Sequence, residues 1–165
     1  MPRPVPAILA VICVGALATA AYAASDQAFL KKALESDNAE IALSQMAEHK
    51  GVSQATKDLG QMLVNDHTAH RTKVLLLAKT HGVADTQAMG AGGRLEEVKL
   101  KLLDGPSFDR EFARYMVHDH QKDITAFRDE SHAADPAIAD LAKETLPTLH
   151  KHLDAAETLE HKTAA

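Results

Sequence analysis

The chain has 165 residues, with 18 basic against 23 acidic side chains and a formal net charge of −5. An acidic balance argues against a nucleic-acid binder and against an electrostatic membrane anchor. The single cysteine, Cys13, leaves no internal disulfide, so a core must hold the fold.

The N-terminus reads as a secretory signal peptide over residues 1–23. Arg3 supplies the positive end, Ile8 to Ala18 an apolar stretch, and Ala21-Tyr22-Ala23 a small-residue cleavage signal. The apolar stretch is short for a bilayer span, so no integral span is expected after cleavage. Cys13 follows Ile12 and not a small residue, which sets aside a lipoprotein. Cleavage near Ala23/Ala24 would take Arg3 from the 18 basic residues and leave 17 against 23 acidic ones, a net charge of −6. It would also remove the only thiol and keep all ten histidines. The expected location is the periplasm or cell envelope. Residues 24–165, about 140 of them, suit one domain burying roughly two-thirds of its unfolded surface.

Ser25 or Asp26 can cap a first helix running to about Lys50, with Phe29, Leu30, Ala33, Leu34, Ile41, Ser44 and Ala47 at three- and four-residue spacing. Gly51 is a natural stop, able to take the left-handed conformation. Ser53 caps a second helix from about Gln54 to His81, ended by Gly82. Its stripe is Leu59, Leu63, His67, His70, Val74 and Leu77. The segment from Val83 to Pro106 reads as a long crossover, with a short helix from Arg94 to Leu103. A third long helix follows Ser107 and runs to about His132, carrying Phe112, Met116, Val117, His120, Ile124 and Phe127. Asp135 caps the fourth, with Pro136 at its first position; Pro147 lies inside it and should bend it. Its stripe includes Ile138, Leu141, Thr145, Leu149, His152, Ala156 and Leu159. The pattern predicts an all-α protein: a ferritin-like four-helix bundle with two tight hairpins and one long crossover.

Two stretches interrupt the apolar stripes with the same letters. Met62-Leu-Val-Asn-Asp-His-Thr-Ala-His70 and Tyr115-Met-Val-His-Asp-His-Gln-Lys-Asp123 both read Val-x-Asp-His. Asp37 and Glu40 on the first helix and His152 on the fourth fall near the same level. Imidazole and carboxylate at core positions suit zinc, iron or copper, and buried without partners they would be costly. Three readings follow: a transition-metal site drawn from Glu40, His67, His70, His120, Asp123 and His152; a metal-free hydrogen-bonded network that fixes helix register; or side chains that turn to solvent. The remaining histidines at helix ends, His49, His81, His132 and His161, suit interaction with the helix dipole. His118 and His150 fall off the stripes. No organic cofactor motif, phosphate loop or nucleophile elbow occurs, so no catalytic residue is assigned.

The motifs Phe29-Leu30, Ala39-Glu40-Ile41, Met62-x-Val64-x-Asp66-His67, Tyr115-Met116-Val117-x-Asp119-His120 and Leu146-Pro147-x-Leu149-x-x-His152-Leu153 resemble a secreted bacterial family, domain of unknown function 4142. The resemblance spans the mature chain and implies a ferritin-like helical bundle of the cell envelope without an assigned activity. Ferritin-like di-iron proteins carry Glu-x-x-His on two helices. This chain has none; His67-x-x-His70 and His120-x-x-Asp123 occupy that spacing. The expectation is a bundle that binds a transition metal or acts in envelope stress. The alternatives are a metal-free interaction module and a ferritin-like oxidase or peroxidase. No protein partner can be read from the chain.

Overall fold

The computed structural model describes residues 12–164. The fold is all-α, with α1 (Ile12–Lys50), α2 (Gln54–Thr80), α3 (Ala91–Leu102), α4 (Gly105–Glu130) and α5 (Pro136–Thr163). No strand occurs among the described residues. The first eleven residues of the expected signal peptide lie outside them. No helix among the described residues is long and apolar enough to cross a membrane.

The expected start of the first helix is corrected. α1 runs unbroken from Ile12, so Ser25 and Asp26 lie inside it and cap nothing. The run from Ala16 to Ala24 is rich in alanine, the strongest helix former, and holds no glycine or proline to interrupt it. The other caps follow the chemistry of the sequence. The Ser53 hydroxyl accepts from the Thr56 amide at 3.1 Å, and the Asp135 carboxylate accepts from the Ala137 amide at 2.8 Å. α4 starts at Gly105, earlier than expected, because Gly105 takes φ +61° and Pro106 can open the helix directly behind it. α5 continues through Pro147 as one helix.

Two glycines act through space. Gly51 is not left-handed; its hydrogen leaves room where a Cβ would come to 2.8 Å of Thr56 Cγ2. Gly93 lies inside α3, which begins at Ala91 and not at Arg94. A Cβ there would meet Ala39 Cβ at 2.5 Å, so α3 packs backbone-close on α1.

α1 and α2 form one antiparallel hairpin and α4 and α5 the other, with α2 beside α5 and α1 beside α4. Contacts from opposite sequence ends fix the directions: Gln27 donates to the His81 carbonyl, Ser36 to Asp123, and Arg110 to the Thr163 carbonyl. α2 therefore ends at one pole and α4 begins at the other. The connection between them must run the length of the bundle, and α3 is part of it.

The core is divided. One apolar cluster includes Leu43, Leu63, Phe108, Phe112 and Met116; the second includes Leu30, Leu34, Val74, Phe127 and Ile138. Ile41, expected in the core, is only half-buried, and Leu43 takes the inward place. Between the clusters in sequence, on all four long helices, lie the buried Asp37, Glu40, His67, His120 and His152. Burying a large apolar side chain contributes about 1.5–3 kcal/mol, so the two clusters can hold a polar layer that would not hold itself.

Candidate metal centre

Each long helix contributes to this layer. His67 from α2, His120 from α4 and His152 from α5 form a triangle with ring centroids 5.3–5.8 Å apart. All three are almost fully buried, with 4%, 1% and 1% of their surface exposed. Each presents one ring nitrogen within 4.8 Å of the others, a spacing that could hold a metal ion.

The outer nitrogen of each imidazole has a partner that can only accept. Asp37 Oδ1 lies 2.9 Å from His67 Nδ1, the Met116 carbonyl 2.9 Å from His120 Nδ1, and Asp66 Oδ2 2.9 Å from His152 Nε2. Burial alone would raise the Asp37 carboxyl, but hydrogen bonds from His67 and His70 outweigh it and hold it below its ordinary 3.8. Asp66 is likewise held low: burial opposes, and the hydrogen bond and charge of His152 prevail. Both carboxylates are therefore ionised at neutral pH, and each facing imidazole nitrogen must carry the proton.

This fixes the inner nitrogens. With the outer positions protonated, His67 Nε2, His120 Nε2 and His152 Nδ1 are lone pairs in the neutral rings. His120 Nε2 and His152 Nδ1 stand 3.3 Å apart, and His67 Nε2 has no hydrogen-bond partner although buried. Facing lone pairs repel unless a cation lies between them. A proton is a poor candidate, because burial and then the neighbouring histidines push His120 down to about 3. Burial lowers His152 to about 4 against the pull of Asp66.

The other expected site residues surround this triangle. His70 Nδ1 lies 3.0 Å from both oxygens of Asp37, and its Nε2 is buried without a partner. Glu40 comes to 4.0 Å of His120, but at Nδ1, the outer side. Both Glu40 oxygens lack hydrogen bonds. Burial first, then Asp119 and Asp123, raise its carboxyl well above the ordinary range, so it is a neutral acid. Asp123 accepts from the Ser36 hydroxyl at 2.9 Å, and burial with the nearby Asp119 lifts it to about 6.

The two Val-x-Asp-His stretches do different work. Asp66 crosses to His152 on α5, whereas Asp119 pairs with Lys122 on its own helix at 3.1 Å. The Met116 carbonyl is part of the site and had no signal in the sequence, since any residue supplies a carbonyl. The bystanders fall as expected: His118 and His150 are exposed, and His81 donates toward the Leu77 carbonyl or Asp135 at the end of α2.

A family match covers residues 13–159, nearly the whole chain; it is described as Domain of unknown function (DUF4142). The chain belongs to that family. No curated protein and no solved structure matches the chain. The DUF4142 assignment brings no activity with it, so the chemistry rests on the buried layer.

Proposed function

We propose that this DUF4142 protein is a metal-binding bundle of the periplasm or cell envelope, holding one first-row transition-metal ion between His67, His120 and His152. The observation that carries the reading is the pattern of outer hydrogen bonds. Asp37, Asp66 and the Met116 carbonyl hold all three imidazoles in the tautomers that aim lone pairs at one point. Metal-bound histidines typically donate their second nitrogen to a carboxylate or carbonyl in this way. Neutral imidazole suits zinc, copper(II) and iron, and an all-nitrogen set favours these over calcium or magnesium, which take oxygen.

The single long crossover supports a ferritin-like arrangement, but the donor set differs from carboxylate-rich di-iron proteins. Glu40 and Asp123 lie outside the three-nitrogen cluster, and the first is neutral. A metal-binding or metal-sensing role fits this donor set better than oxygen activation at two irons.

Secretion is part of the proposal and rests on the N-terminal signal of the sequence. Elemental analysis of the mature protein purified from its native compartment tests the reading. One zinc, copper or iron per chain is the expected result. A chain free of metal after growth with all three supplied would count against it.

A further inference from the structure

Three protein nitrogens leave a tetrahedral ion one position short, the pattern of sites that take an outside ligand. No protein group near the triangle is free to fill it. Asp37, Asp66 and the Met116 carbonyl are engaged with outer nitrogens, and Glu40 approaches His120 from its outer side.

Two of the three histidines border empty space. A cavity of about 20 Å³ touches His67 and His152 and is also lined by Asp66, His70 and Thr145. That is room for about one water molecule, which needs roughly 10–15 Å³ by this measure. Beyond it, a surface groove of about 170 Å³ lies between α2 and α5, and Asp66, His70, Thr145 and Thr148 line both spaces. His70 is placed to meet an occupant. Its Nδ1 faces Asp37, and its Nε2 is buried and without a partner.

Building on the metal reading, we infer that the fourth position is an exchangeable ligand site for water or hydroxide, and for a small inorganic anion in its place. It opens through the seam between α2 and α5. His70 is a positioning residue here: its buried Nε2 hydrogen-bonds the ligand and does not itself hold the metal.

The test uses the full mature protein loaded with Co²⁺, whose visible absorption reports the bound ion, followed by titration with azide. The expected result is a saturable shift of the Co²⁺ bands with no loss of metal. Ala69→Trp, exposed on the groove and outside the lining of the inner cavity, should slow azide association while leaving the starting spectrum unchanged. Bands that form but ignore azide would overturn the open site and leave metal binding standing. An Ala69→Trp protein that binds azide at the wild-type rate would overturn the route through the seam. Failure to form Co²⁺ bands at all would overturn the metal reading and this inference with it.

Discussion

His120 Nε2 and His152 Nδ1 face each other across 3.3 Å with both outer nitrogens already committed as donors. A metal-free, neutral pair would hold two lone pairs together inside the bundle. Flipping either tautomer only moves the conflict outward, to the Met116 carbonyl or the ionised Asp66. A cation between the rings resolves it at both ends.

Asp37 should then govern affinity without being a ligand. Asp37→Asn keeps the shape but removes the negative charge shared by His67 and His70. Losing such an outer partner typically costs about 10–100-fold in metal affinity. Isothermal titration with Zn²⁺ should show weaker binding at unchanged stoichiometry; unchanged affinity would mean that Asp37 serves register alone.

Metal should also stabilise the fold, because the unfolded chain lacks the site. Saturation at about 100 times Kd adds about 2.7 kcal/mol. Thermal melts with and without Zn²⁺ should differ for the wild type and coincide for His120→Ala. A wild-type melting temperature indifferent to Zn²⁺ would contradict the assignment.

Much of this frame is legible in the sequence. The four long helices, both hairpins and the long crossover follow from spacing, Ser53, Asp135 and Gly82. His67, His120 and His152 stand out because they replace apolar residues at inward positions. The division between the inner triangle and its surroundings is not legible. Asp66 and His67 are adjacent in sequence, yet one supports a histidine from outside the triangle and the other is within it. Only the packing of α2 against α5 separates those roles. The part of α1 that precedes Ser25 is not legible, because a signal-like apolar stretch is also a good helix.

The crossover helix makes one backbone-close contact with α1 that any side chain would break. In Gly93→Ala, the new methyl would lie 2.5 Å from Ala39 Cβ, closer than real Cβ atoms approach. Overpacking of this kind costs about 1–3 kcal/mol. Hydrogen exchange should show α3 amides opening faster, while α4 and α5 keep their protection; uniform protection would show that α3 can shift at no cost.

Glu96, on the inner face of α3, gives a pH signature. Burial first, then the charge of Glu111, raise its carboxyl from 4.5 to about 7, while Glu111, held by Arg114 and Lys99 against its own burial, falls to about 2. For Glu96 the folded state binds the proton more tightly than the unfolded chain, so stability falls as pH rises from about 4.5 to about 7. Glu111 stays ionised in the folded state across that range, and the opposing slope from its unfolded carboxyl near 4.5 is common to both proteins compared. Glu96→Gln should lose this decline, so its stability relative to wild type rises with pH in urea melts. Parallel curves from pH 4 to pH 8 would show that Glu96 ionises normally.

The most direct measurement is equilibrium dialysis of the protein against Zn²⁺, beside His67→Ala, His120→Ala and His152→Ala, each checked for helicity by circular dichroism. One tightly bound ion per wild-type chain, lost in all three folded variants, is the predicted result. No uptake by the wild type, or equal uptake by the three variants, would contradict a metal held between these histidines.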